Sequence, residues 1–350
     1  MRNKFAVFLL IFLFLGVAGF FAGYSTLFKD NINEQGTSAR LNKERAVIFY
    51  IQTGSTYDDV IKSLKRQQIL HNIQTFKLVA NRVNYAENVR PGRYLLSAGM
   101  SNLNIVRKLR SGGQDPVKIT FNNIQNKEQL AEKIAEQLEP TKSEILQVLR
   151  DKRFLDSLQL TEESFPTIFL ANTYEFYWNT SASGFVQRML EEYHKFWNSS
   201  RLKKAEKLGL TPTEVIILAS IIQKESNHYD EYPTIAGVYL NRLRIGMPLQ
   251  ADPTVMYALK KLGQSQRVYH KYLKIDSPYN TYINKGLPPG PICLPELKSI
   301  EQTLDAEEHK YVYFCAKEDF SGYHAFAETW QQHTENARKY QQALNQRNIR

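Results

Sequence analysis

The sequence predicts an α+β protein in three parts: an N-terminal transmembrane helix, a small α+β module and a larger mixed α+β domain. Three observations carry this. An almost unbroken apolar run, FAVFLLIFLFLGVAGFFAGY, fills Phe5 to Tyr24. From Ala46 to Gly113, short strand-like and helix-like patterns alternate. After residue 114 the helical patterns lengthen, and one of them, VIILASIIQKES at Val215 to Ser226, is almost wholly apolar. We therefore place an anchor at 1–28, a linker at 29–45, the small module at 46–113 and the large domain at 114–345.

Twenty apolar residues at helical rise span about 30 Å, enough to cross a bilayer. Arg2 and Lys4 precede the run, which puts the N-terminus in the cytoplasm and the rest of the chain on the far side. No small-x-small cleavage site follows, so a retained anchor is favoured over a signal peptide. The polar stretch from Asn31 to about Glu44 reads as a spacer.

AVIFYI at Ala46 to Ile51 has strand character, and Tyr57 to Gln67 carries Val60, Ile61 and Leu64 on one helical stripe. A second helix is expected over Ile73 to Val83, a strand over Arg93 to Leu96 after the Pro91-Gly92 turn, and a helix over Asn102 to Leu109. The larger domain opens with a strand at Val117 to Phe121, then helices at Lys127 to Leu138 and Lys142 to Arg150. One long helix is expected from Gly184 to Leu208, ended by Gly209. Thr211-Pro212-Thr213-Glu214 is a strong helix start: Thr caps, Pro suits the first turn, and Glu three residues on returns a hydrogen bond. The helix it opens has so little polar surface that burial in the middle of the domain is predicted. Helices at Tyr232 to Leu243 and Asp252 to Leu259 follow. The stretch Asp276 to Pro295 is too rich in Pro and Gly for regular structure and reads as an ordered loop. A helix from Pro295 to Leu304, strands at Tyr311 to Ala316 and His324 to Phe326, and a final helix over Ala327 to Tyr340 complete the chain.

The formal charge of +10 raises nucleic acid as a partner, but acidic residues are interspersed with the basic ones almost throughout, and a mixed solvated surface fits better. Aromatic residues reach 12%, with Tyr at 20 and Phe at 19, a richness that sugar-binding grooves share with ordinary cores. Cys293 and Cys315 have no CxxC partner and read as buried small hydrophobes. No HExxH, GxSxG or GxxxxGK[ST] motif is present, which argues against zinc, serine-hydrolase and P-loop chemistry. Glu225 stands out on helical spacing alone. It lies one turn beyond Ile221 and Ile222, where its carboxyl meets an apolar neighbourhood that would raise its pKa and suit it to general acid work. A solvent-exposed Glu at a frayed helix end fits the same spacing equally well.

Four runs carry a resemblance: LASIIQKES at 218–226, IAGVYLNRLRIGMPLQADPTVMYAL at 235–259, SPYNTYINKGLPPGPI at 277–292 and YVYFCAKEDFSGYHAFAETWQQH at 311–333. In these the chain resembles the endolytic murein transglycosylases of the MltG/YceG type, from about residue 45 to 340. The resemblance implies a LysM-like small module and a lytic transglycosylase that cuts between N-acetylmuramic acid and N-acetylglucosamine and closes a 1,6-anhydro ring. Glu225 would be the catalytic acid/base. Asn241, Arg242, Gln250, Asp252, Tyr279, Asn280, Thr281 and Tyr282 would line the saccharide groove, while an internal ion pair remains the other reading of Arg242 and Asp252. No cofactor is implied. The implied partners are peptidoglycan strands and the inner membrane, with cell-wall synthases admitted and nucleic acid excluded. The catalytic part would lie on the periplasmic side. At Ala171-Asn172-Thr173-Tyr174 the chain departs from the expected Pro-Asp-Thr-Tyr-like run, so Asn172 cannot supply the charge of an Asp. Two other readings compete: a non-catalytic wall-binding scaffold, and a hydrolytic muramidase with Glu231 or Asp252 as its second carboxylate.

Overall fold

The computed structural model describes residues 2–33, 45–121, 124, 126–260 and 269–347. These fall into two compact units, one drawn from 1–118, 137–140 and 175–180, the other from 119–136, 141–174 and 181–350. Most of the expected spacer, residues 34–44, lies outside the described residues.

The first unit opens with the helix α1 (Arg2–Phe28), whose segment Ile11–Phe28 has a mean hydropathy of 1.9 and exposes its apolar side chains. Strand β1 (Ala46–Ile51) pairs antiparallel with β2 (Gly92–Ser97), in a register that sets Phe49 opposite Tyr94. Between them lie α2 (Tyr57–Arg66) and α3 (Ile73–Arg82), and α4 (Asn102–Ser111) follows. Each helix start is fixed by its own sequence: Thr56 and Asp59 form a capping box, Asn72 caps α3 and Ser101 caps α4. Val47, Phe49 and Ile51 alternate inward along β1 and meet Leu64, Phe76, Tyr94 and Leu109 in one core. Ile32 belongs to that core too, and the Asn31 amide donates to Asn102 Oδ1 at 2.6 Å, so the chain is already packed one and two residues beyond Asp30.

The second unit is mainly helical. It contains α5 (Lys127–Ala135), α6 (Lys142–Leu149), α7 (Lys152–Ser157), α8 (Ala182–Phe196), α9 (Ser199–Leu208), α10 (Pro212–Glu225), α11 (Tyr232–Arg244), α12 (Asp252–Ala258), α13 (Leu297–Leu304) and α14 (Trp330–Gln346). Its hairpin pairs β5 (Tyr313–Ala316) with β6 (His324–Ala327). Two further short strands, β3 (Val117–Thr120) and β4 (Thr173–Phe176), pair with each other. Helix α10 sits at the centre with Val215 to Ile222 all buried. One side, Leu218, Ile221 and Ile222, packs on Tyr232, Ile235, Tyr239 and Leu249; the other, Val215, Ile216 and Ala219, packs on Leu170, Trp197, Ala205, Ile300 and Leu304. Two apolar partners explain why the helix has no polar face. Its start is the expected capping box: Thr211 and Glu214 exchange hydrogen bonds with Pro212 in the first turn.

The single helix expected over 184–208 is two helices. Asn198 breaks it, because its side chain accepts from the backbone N–H groups of Ser200 and Arg201 and so opens α9 anew. Helix α7, capped by Asp151, was not expected, and the last element before the hairpin begins at Leu297 rather than Pro295. Cys293 is buried, but Cys315 is only half-buried, and both thiols are free.

Gly237 sits where α11 passes closest to the segment after α13. A Cβ there would lie 2.4 Å from the Glu307 carbonyl oxygen and 2.5 Å from His309 Nε2. Helix propensity alone favours Ala over Gly, so packing must decide the sign. We expect Gly237→Ala to destabilise the detergent-solubilised protein by about 1–3 kcal/mol in chemical denaturation, the usual range for overpacking. An unchanged or raised stability would mean that the 307–309 segment yields freely.

Candidate active site

Glu225 is the last residue of α10, and Ser226 turns the chain out of the helix. Part of its surface stays open, but its carboxyl is packed round by protein, and that packing governs its chemistry. Burial pushes the carboxyl pKa up to about 7; a hydrogen bond from Tyr239 opposes the rise, the charge of Asp252 adds to it, and Arg242 opposes it. The C-terminal end of a helix also carries partial negative charge, which disfavours a carboxylate there. The buried reading of Glu225 therefore holds over the exposed one.

Two elements bring these neighbours in. Helix α11 supplies Tyr239, 1% exposed, whose hydroxyl donates to Glu225 Oε1 at 2.5 Å. One turn on, Arg242 is held by donating to the carbonyls of Val312 at 2.6 Å and Leu249 at 2.6 Å. The start of α12 supplies Asp252, exposed, which accepts from the Tyr282 hydroxyl at 2.5 Å. The Tyr282 phenol is held protonated by burial and by that carboxylate.

The residues singled out in the sequence divide by what their polar groups do. Gln250 and Asp252 are exposed and Tyr282 half-buried, and the charges of Asp252 and Glu225 act on one another and on Tyr282. Gln250 holds φ near +50°, a conformation a non-glycine residue adopts at a cost, and its N–H donates to the Thr281 carbonyl. Asn241 gives its amide hydrogens to the carbonyls of His309 and Tyr311. Arg242 donates to backbone rather than forming the ion pair that was its other reading. Asn280, fully buried, donates to the carbonyls of Leu273 and Ile275, and Thr281 joins Thr254 and the Ala251 N–H. These four shape the site through backbone. Tyr279 packs on Tyr257 and lines a cavity of about 200 Å³ with Cys293 and Glu163.

Other residues matter that the sequence did not mark. Tyr239 reads there as one more apolar position of α11; only its place 14 residues beyond Glu225, inside the YLNR run, could have pointed to it. Phe314 meets the Tyr239 ring edge-on, with centroids 5.9 Å apart. Glu231, a candidate second carboxylate, is buried and fully engaged: its oxygens take the His324 N–H at 2.7 Å and the Ser226 hydroxyl at 3.0 Å, with His324 Nδ1 at 3.0 Å. Ser220 and Gln223 pin the proline-rich segment to α10, through the N–H groups of Ile292 and Glu296.

A buried acid at a helix end, steadied by a tyrosine and bordered by one open carboxylate, has the chemical make-up to give and take a proton near neutral pH. Residues 49–339 match the YceG-like family, and the chain belongs to it. It is 30% identical over 316 residues to an endolytic murein transglycosylase of Bacillus subtilis, covering 85% of each chain. A protein of the same description from Streptococcus pneumoniae is 26% identical over 90% of this chain, which spans 61% of that longer relative. Among solved structures, a putative yceG-like protein from Listeria monocytogenes superposes with a TM-score of 0.54 at 28% identity, covering 84% of this chain and 99% of that one.

The raised pKa of Glu225 has a stability consequence. Its folded-state value, about 7, lies above the ordinary 4.5, so the protonated carboxyl favours the fold below pH 4.5 and that contribution is lost as pH rises through 7. We expect Glu225→Gln, which keeps an acceptor for Tyr239, to match wild type near pH 4.5 and to exceed it by on the order of 2–3 kcal/mol above pH 8. Denaturation curves at the two pH values measure this, and equal differences at both would place the carboxyl in solvent.

Proposed function

We propose that this chain is a membrane-anchored endolytic transglycosylase that cuts the bond between N-acetylmuramic acid and N-acetylglucosamine within peptidoglycan strands and leaves 1,6-anhydro-N-acetylmuramic acid ends. The observation that carries this is Glu225, a carboxyl held near a pKa of 7, in a chain of a family whose curated relatives bear that activity in their names. Such a group is half protonated at neutral pH and can serve in both directions. It donates its proton to the glycosidic oxygen as the C1–O bond breaks. The carboxylate left behind then takes the proton of the muramoyl C6 hydroxyl as that oxygen bonds to C1. No water is consumed, and one carboxyl does the work that hydrolysis divides between two.

Gln250, Asp252 and Tyr282, with polar groups exposed or half-buried, are our candidates for direct sugar contact, while Asn241, Arg242, Asn280 and Thr281 hold the backbone that presents them. Hydrolysis is the second reading, and the carboxylate that favours it is Asp252, near enough to raise the Glu225 pKa. A wall-binding scaffold would give no reason to keep a carboxyl out of water. The β–α–α–β order of the first unit supports reading it as a LysM-like module.

Glu225→Gln should lower cleavage of purified glycan strands by about 10² to 10⁴ while leaving strand binding within a factor of two. Mass analysis of the products separates the readings, because an anhydro end lacks one water. Reducing ends from wild type would replace transglycosylation by hydrolysis, and near-normal anhydro products from the variant would remove Glu225 from the mechanism.

The apolar segment of α1 and the basic Arg2 and Lys4 ahead of it support a single-pass anchor with the catalytic unit on the periplasmic side. A reporter that folds only outside the cytoplasm, fused to the C-terminus, should be active in intact cells. Activity from a cytoplasm-only reporter at the same point would reverse the orientation.

A further inference from the structure

The bond from Tyr239 to Glu225 treats the two carboxyl oxygens differently. Tyr239 is locked in place: its ring is 1% exposed on the face of α11 that packs against α10, and Phe314 of β5 meets it edge-on at 84°. Its hydroxyl donates to Oε1 at 2.5 Å, and among the described residues no other hydrogen bond reaches the Glu225 carboxyl. Burial and the neighbouring carboxylate keep the phenol protonated well above neutral pH, so it remains a donor throughout. The carbonyl oxygen of a neutral acid accepts better than its hydroxyl oxygen. A donor fixed on Oε1 therefore leaves the acid proton on Oε2.

We propose that Tyr239 is a positioning residue for the general acid, selecting Oε2 as the oxygen that carries the proton and steadying the carboxylate once that proton is given up. This rests on the acid/base reading of Glu225. The bond strengthens as Glu225 becomes charged, because a hydrogen bond to an ionised acceptor is about twice as strong as a neutral one. Tyr239 thus contributes more after proton donation than before it, which is the differential interaction that speeds a step. The other groups facing the pair act by charge at longer range: Asp252 on α12 raises the Glu225 pKa, Arg242 on α11 lowers it, and Tyr282 joins them from the loop. Tyr313 lies beside Arg242, and His324 of β6 packs edge-on against Phe314 and is bonded to Glu231.

The test follows the Glu225 titration by infrared difference spectroscopy on the full-length protein in detergent, the band being assigned as the carboxyl carbonyl stretch lost in Glu225→Gln. Removing one hydrogen bond to the charged form in Tyr239→Phe should move the midpoint up from about 7 by about one unit. Cleavage of glycan strands by the same variant should show kcat lower by about ten- to a hundredfold with KM nearly unchanged. Tyr239→3-fluorotyrosine, which keeps the ring and strengthens the donor, should move the midpoint down, so the idea stays testable if loss of the hydroxyl harms folding. An unmoved midpoint in both folded variants would overturn the proposal and leave Tyr239 as packing only. The titration needs no turnover, so absent anhydro products from wild type would count against the proposed reaction, and a static midpoint against this inference.

Discussion

The helix Pro212–Glu225 has no polar face between Val215 and Ile222, so it is stable only with protein on every side, and the rest of the second unit supplies that protein. Helix α11 covers one side, α9 and α13 the other. The price is that α10's carboxyl terminus must emerge at a place set by its length. Glu225 stands at that place, where buried surroundings give way to a partly open one, and Ser220 and Gln223 on the same helix hold the proline-rich wall beside it. Scaffold and site are one piece of chain, so the position of the acid inherits the rigidity of the core.

Much of this was legible because the signals are local. The capping box at Thr211 and Glu214, the apolar run after it and the prolines at 233 and 253 fix α10, α11 and α12 to within a residue or two. Asn198 was harder to see as a cap, since the apolar spacing runs on through Phe196 and Trp197 as if one helix continued. The tuning of the Glu225 carboxyl involves Tyr239, Arg242 and Asp252, which arrive from other elements, and spacing along one helix cannot show them. The amide of Asn241 and the guanidinium of Arg242 suit a sugar as well as they suit a carbonyl. Only three-dimensional placement reveals that they serve Val312, Leu249, His309 and Tyr311.

Two opposite charges flank the acid at different depths. Arg242 is buried and held to backbone carbonyls, whereas Asp252 is exposed and tied to Tyr282. The deep charge opposes the rise in pKa and the open one adds to it, while burial outweighs both. A group tuned chiefly by exclusion of water responds to whatever covers it. Any molecule lying over the open part of Glu225 would deepen its desolvation and shift it further toward the protonated form.

The wall formed by residues 276–295 bears on how the protein ages chemically. Asn280 is fully buried and its amide hydrogens serve the carbonyls of Leu273 and Ile275, while its own oxygen takes the Tyr282 N–H. Deamidation would put a carboxylate oxygen where two carbonyl oxygens already point, an uncompensated buried charge that the segment could relieve only by opening. Tyr282, two residues on, would be released with it, and Asp252 would lose its partner. The same close packing that makes such damage costly also denies the side chain the backbone freedom that the cyclic deamidation intermediate requires, so burial guards this amide against the change it could least accommodate.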